Sequence, residues 1–287
     1  MSIQRSYSAP YLSSLPAAAS SSSASNVKEA YEQLDKQFNR LVRDAKRHPV
    51  SENNVQPDWI ADLQKAARSP AWQETVGDFV MRKHPEDMQH LRDQYEKRTL
   101  LLENNAEKKE GQKSAKPAKN DYKQLNSSFA DLEARVSNMT KGSKAVFVGS
   151  GPQPNTVLAY VNHADSVTGI DINPEAIEAT KAIASASGGK IQFEQVPGEA
   201  FNYKPYTHVG IAVMVPDKGK ILEQIRKTSG PDCTVIVRSV DGLKNAMYEG
   251  FDPAASKGFE KIATLHGTDH NITHATILRK KPLNIVA

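Results

Sequence analysis

"KAVFVGSGPQPNTVLAYV", residues 144–161, carries an apolar run into two glycines and two prolines, then out into a segment with helical spacing. Glycines at the end of a strand let backbone approach a ligand closely, and doubly wound sheets bind ligands at the carboxyl ends of their strands. The turn departs from GxGxxG. After Gly149 and Gly151 the third glycine position falls near Asn155, while Pro152 and Pro154 stiffen the exit.

Downstream, the strand-like runs "SVTGIDI", "KIQFEQV", "THVGIAVMV" and "CTVIVRS" alternate with helix-like stretches such as "NPEAIEATKAIASAS" and "DKGKILEQIRKT". That alternation implies parallel strands joined by right-handed crossovers. The last stretch, "FEKIATLHGTDHNITHATILRKK", reads as two strands around a Gly-Thr-Asp turn, antiparallel because the connection is short. The expected fold is α/β: a Rossmann-like class I methyltransferase fold over residues 141–287, preceded by an α-helical domain over 26–140. Asp171 follows Gly149 by 22 residues, the place of a carboxylate that accepts both hydroxyls of a ribose. After the third strand, Glu199 and the amide of Ala200 are placed to meet an adenine. Ser150, Pro152, Ile172 and Val213 complete the expected cofactor-binding set. The alternative is that the glycines only make a tight turn and Asp171 caps the helix at Pro174. Prolines at the helix entry leave few amides for a pyrophosphate, so S-adenosylmethionine is favoured over a dinucleotide.

The 287 residues carry 37 Lys+Arg against 33 Asp+Glu, too balanced to argue for nucleic acid. Cys233 is the single cysteine, which excludes an internal disulfide and a cysteine-built metal site. No apolar run is long enough to span a membrane, and the Ser/Ala-rich start lacks a signal-peptide core, so a cytoplasmic setting is expected. Residues 1–25 read as a disordered tail, or as a lid ordering through Tyr7 or Tyr11. A stripe of Val27, Ala30, Tyr31, Leu34, Phe38 and Leu41 marks the first helix, capped by Ser25 or Asn26. Trp59, Leu63, Trp72, Val76 and Phe79, then Met88, Leu91 and Tyr95, are expected to face inward. The lysine-rich residues 106–119 read as an exposed loop.

The glycine turn together with "GIDINPEA", "VIVRSVDGLKNAMY" and "KGFEKIATLHGTDHNITHATILRKK" resembles the nicotianamine synthase family, whose turn reads FxGSGPxPxT. The likeness covers roughly residues 120–281. It implies transfer of the 3-amino-3-carboxypropyl arm of S-adenosylmethionine to an amine or amino acid, with release of methylthioadenosine and no metal. Such an enzyme must fix the arm while an unprotonated nitrogen lines up with Cγ at about 3–3.5 Å. Tyr122, at the family's tyrosine position before the turn, is expected to orient the arm or steady the sulfonium. Arg238 is placed to hold a carboxylate or to pair with Asp241, and Tyr248 to serve the site or to pack.

His266, Asp269, His270 and His274 fall in the expected hairpin, where alternation sends them to different faces and argues against a metal site. One departure from the family stands in "DLQKAAR", where Arg68 aligns with an acceptor-pocket glutamate. Its loss points to a different acceptor, or to none, with the substrate's own amine closing azetidine-2-carboxylate. An ordinary methyltransferase and a non-catalytic S-adenosylmethionine-binding module are the remaining alternatives. A homodimer is left open.

Overall fold

The computed structural model describes residues 21–72, 75–110, 121–267 and 273–281; side chains within 21–25, 75–76, 103–110 and 121–127 stand outside that description. Seven strands form one sheet in the order β3-β2-β1-β4-β5-β7-β6. They are β1 Lys144–Val148, β2 Ser166–Asp171, β3 Ile191–Gln195, β4 His208–Ile211, β5 Thr234–Ser239, β6 Phe259–Leu265 and β7 His274–Lys280. The first five are parallel, and β7 runs antiparallel to both β5 and β6. The chain order therefore reverses beside β1, as the alternation of strands and helices requires.

The pleat distributes the apolar residues of each strand between two cores. Val146 and Val148 join Ile170, Val235, Val237 and Leu278 beneath α8 (Lys218–Thr228), which contributes Ile221, Leu222 and Ile225. Ala145 and Phe147 face the other way, under α5 (Asp121–Val136) and the short α6 (Asn155–Tyr160), with Phe129, Ala134, Val157 and Tyr160. Central strands buried on both faces explain the near-continuous apolar runs.

The N-terminal half packs α1 (Ser21–Arg47), α2 (Asp58–Ala66), α3 (Thr75–Lys83) and α4 (Pro85–Glu110) around a third core. Phe38, Leu63, Trp72 and Leu91 are fully buried there, and both indoles are satisfied, Trp59 by the His48 carbonyl and Trp72 by Gln37. Leu243, Ala246 and Met247, from a 3₁₀ turn after β5, belong to this same core. The helical half is thus completed by a plank from the other half of the chain.

Several sequence expectations are corrected. Phe79 is 58% exposed, its ring set edge-to-face with Tyr31, because Gly77, Val80 and Met81 take the inward positions of α3. Val27 is also exposed, one turn before the core begins. Helix α1 starts at Ser21, not at a Ser25 or Asn26 cap, and α4 runs to Glu110 through part of the proposed loop. The extension of α4 consists of good helix formers, Ala106 followed by Glu and Lys, whereas that of α1 is four serines and one alanine, so propensity accounts for the first and not for the second. Tyr7, Tyr11 and residues 111–119 lie outside the described residues, as does the side chain of Val76.

Candidate active site

The glycine turn begins where β1 ends. Gly149 and Gly151 adopt φ of +77° and +62°, the left-handed region that side chains disfavour. The amides of Gly149 and Ser150 both donate to the Ile170 carbonyl, at 2.8 and 3.1 Å, which folds the turn back over β2. Asp171 then clamps it. Its Oδ2 accepts from the Gly151 amide at 2.8 Å and its Oδ1 from the Asn173 amide at 2.9 Å. Each oxygen keeps a further lone pair. The helix α7 (Pro174–Ala186) is capped by Asn173, whose side chain accepts from the Glu175 amide, so the alternative of Asp171 as the cap is set aside.

Around this clamp the strand ends supply the remaining surface. Ile172 stands 67% exposed beside the turn, an apolar residue with no core to enter. Glu199 and Ala200 lie exposed on a 3₁₀ turn after β3, anchored by the Tyr203 hydroxyl on the Gly198 carbonyl at 2.8 Å. Burial pushes the Tyr203 phenol well above its ordinary range, so this anchor stays protonated. Val213 lies past the end of β4, and its carbonyl accepts from Lys218 Nζ at 3.0 Å. That ammonium also donates to the Val215 and Glu249 carbonyls, tying the β4 loop to the chain beyond the 3₁₀ plank. Three donors meet three acceptors, while burial drives the Lys218 pKa down to about 8. The Ser150 hydroxyl is buried within the turn without a hydrogen-bond partner among the described residues. Pro152 is half-buried at the exit.

Arg238 does not pair with Asp241. Its Nε and Nη2 grip the carboxylate of Glu133, on α5, at 2.8 and 2.7 Å, with the Tyr160 hydroxyl donating to the same carboxylate at 3.0 Å. Glu133 is fully buried, and the guanidinium lies over the Phe147 and Phe129 rings at 5.2 and 5.7 Å. The reason for the difference is facing: Arg238 shares the α5 face with Ile236, whereas Asp241 lies beyond the strand and meets His274 at 3.1 Å. Sequence reading missed Glu133. The available signal was an acid on the apolar stripe of Phe129, Ala130 and Ala134, matched by an arginine inside the run "VIVRS".

Tyr122 lies in the first turn of α5, and its side chain is outside the described residues. Tyr248 packs edge-on against Tyr95, with ring centroids 5.5 Å apart, at the border of the helical core. Arg68 is exposed just past α2. His266 and His274 are not sent to separate faces; their rings sit 6.5 Å apart. Asp269 and His270 lie outside the described residues. Among the described residues no group of His, Cys, Asp and Glu is arranged to hold a metal ion, and no helix is long and apolar enough to cross a membrane.

Strand order, glycine turn and the carboxylate closing over it define a Rossmann-like class I methyltransferase fold. A family model described as Nicotianamine synthase protein matches residues 116–285. The chain belongs to this family. It is 29% identical over 164 residues to a nicotianamine synthase of Solanum lycopersicum, covering 53% of this chain and 51% of that one. It is also 29% identical over 144 residues to L-histidine 2-aminobutanoyltransferase of Pseudomonas aeruginosa (strain UCBPP-PA14), covering 49% and 51%. The chain thus spans about half the length of the curated relatives it matches. Among solved structures, a mutant of MtNAS in complex with S-adenosylmethionine superposes with a TM-score of 0.74 at 15% identity, over 86% of this chain and 98% of that one. That likeness extends the shared fold into the helical half.

Proposed function

We propose that the chain transfers the 3-amino-3-carboxypropyl group of S-adenosylmethionine to an amine and releases methylthioadenosine. The observation that carries this reading is the row of adjoining strand ends in a family member: the glycine turn after β1, Asp171 after β2 and Glu199 after β3. In this reading Asp171 holds the ribose diol, Ile172 and Ala200 flank the adenine with Glu199, and Ser150 meets the ligand from the turn. Arg238, fixed in plane by Glu133, takes the arm's carboxylate, and Tyr122 steadies the sulfonium. The helical half, anchored by the 242–247 plank, covers the edge and excludes water. The acceptor nitrogen attacks Cγ, the Cγ–S pair leaves on sulfur, and the sulfonium charge is discharged as methylthioadenosine departs. An amino acid is the acceptor class that the names of the relatives support.

The experiment is incubation with S-adenosylmethionine labelled in its methyl group. The label is expected on methylthioadenosine, with the amino-acid skeleton in a larger amine, or in azetidine-2-carboxylate when no acceptor is supplied. Label on a methylated product refutes the reading.

Asp171→Ala is expected to weaken S-adenosylmethionine binding by about 2–3 kcal/mol, since a charge-assisted pair of hydrogen bonds to the ribose is lost. The same substitution releases the Gly151 and Asn173 amides, so the melting temperature is expected to fall as well. Calorimetry on the folded variant that returns wild-type affinity removes Asp171 from the site.

A further inference from the structure

A His–Asp pair at the far side of the same edge is used by nothing above. His274 opens β7 opposite Ser239, the last residue of β5, so it stands at the sheet's carboxyl edge although its own strand runs the other way. Its Nδ1 lies 3.1 Å from Asp241 Oδ2, and its Nε2 has no hydrogen bond to a described residue. The imidazole side chain is 14% exposed and the carboxylate 61%. This is an oriented imidazole with one nitrogen held and the other open.

Position gives the pair its meaning. The ribose and adenine sites assigned to Asp171 and Glu199 lie at β2 and β3, on one side of the glycine turn. A ligand seated there must send its sulfonium arm the other way, toward β4, β5 and β7. Strands about 4.8 Å apart place β5 roughly 10 Å and β7 roughly 14 Å from β1, within reach of an extended arm plus an acceptor. Asp241 directly precedes the Gly242–Ala246 turn that is built into the helical core, where Arg92 Nε donates to the Asn245 carbonyl at 3.0 Å. The pair therefore sits in the seam between the helical half and the sheet. His274 shares a face with Leu278, and Arg238 projects to the opposite one, so the two straddle the edge.

We infer that His274 is the base that takes the proton of the acceptor amine, with Asp241 as its positioning residue. This rests on the reading under Proposed function. The acceptor N–H proton passes to His274 Nε2 as the N–Cγ bond forms and the Cγ–S electron pair goes to sulfur. The Nδ1 proton stays on its hydrogen bond to the Asp241 carboxylate, which balances the imidazolium. The other titratable groups about the pair are Lys244 and His266. The hydrogen bond from His274, assisted by the Lys244 ammonium, holds the Asp241 carboxyl below its usual range, so it is an anion whenever the base works.

The test uses the full chain with S-adenosylmethionine, alone and with L-histidine as probe, following methylthioadenosine from about pH 6 to about pH 10. His274→Gln is expected to lower turnover at about pH 7 by roughly 10²–10⁴-fold with S-adenosylmethionine affinity unchanged. Its rate should then climb about tenfold per pH unit, as the amine loses its proton unaided, while the wild-type rate levels off. Asp241→Asn should lower turnover and move the acid limb of the pH profile to lower pH, because the imidazolium loses the anion beside it. A His274→Gln protein with the wild-type rate and pH profile overturns the inference. Should that variant fail to fold, Asp241→Asn with an unmoved acid limb overturns it equally. Wild-type protein that binds S-adenosylmethionine but forms no methylthioadenosine with or without the probe overturns the underlying reading, and this inference with it.

Discussion

Glu133→Ala is expected to lower the unfolding free energy by about 3–5 kcal/mol, because it strands the Arg238 guanidinium in a site built to pair it. The carboxylate it removes is fully buried and accepts from Arg238 twice and from Tyr160 once. Tyr160, itself fully buried, then loses the carboxylate to which it donates; its phenol is held far above the ordinary range by burial first and by the Glu133 charge second. A loss of this size is a large share of the roughly 5–15 kcal/mol that holds a domain folded. The double variant Glu133→Leu, Arg238→Met should recover most of it, since two apolar side chains need no partners and the Phe129 and Phe147 rings already line the space. Urea unfolding of the three proteins measures this. A single variant as stable as wild type, or a double variant no better than the single, refutes the account of the pair as a mutually dependent unit. In the proposed reaction the double variant is expected to be inactive although folded, because the guanidinium is gone.

Gly149→Val is expected to abolish ligand binding and to cost several kcal/mol of stability. A Cβ at this position would lie 2.5 Å from Val215 Cγ2 and 3.2 Å from Ala212 Cβ, and the backbone holds φ at +77°. Strain of about 1–3 kcal/mol from the dihedral adds to about 1–3 kcal/mol from overpacking. Gly151→Ala is the instructive contrast. Nothing lies within 4 Å of its Cβ, so only the dihedral strain at φ +62° weighs on the fold, while the new methyl projects into open space at the turn. It should melt only a few degrees below wild type and still bind S-adenosylmethionine poorly. Thermal unfolding and calorimetry on both variants check this. A Gly149→Val protein that keeps wild-type stability refutes the close approach of the β4 loop, and a Gly151→Ala protein with full affinity refutes a ligand over the turn.

Much of the fold was written locally. The glycines of "VFVGSGP", the acid ending "GID" and the turn "PGEAF" announce themselves because strand ends, left-handed turns and helix starts depend on neighbouring residues. The helical half was legible as amphipathic stripes, and failed where a stripe is short: in nine-residue α3 the expected inward Phe79 lies outside, and packing buries Val80 and Met81 instead. The helix ends were misplaced at both sides: α4 continues through the Glu/Lys run after Asn105 on propensity, and α1 already holds the serine-rich residues before Asn26, which local preference does not announce.

The sequence by itself determined the strand–helix alternation, the antiparallel closing pair, the glycine turn with its acid and the kinship, since each rests on period, punctuation or a short motif. Tertiary structure alone decided which charges meet. Arg238 finds Glu133 across 105 residues rather than Asp241 three residues away, because the pleat turns it toward α5. Lys218 collects the carbonyls of two separate loops, Asp241 reaches His274 on another strand, and the 242–247 plank completes a core built by distant helices. Local periodicity states that a residue will be buried; only the packing of whole elements states against what.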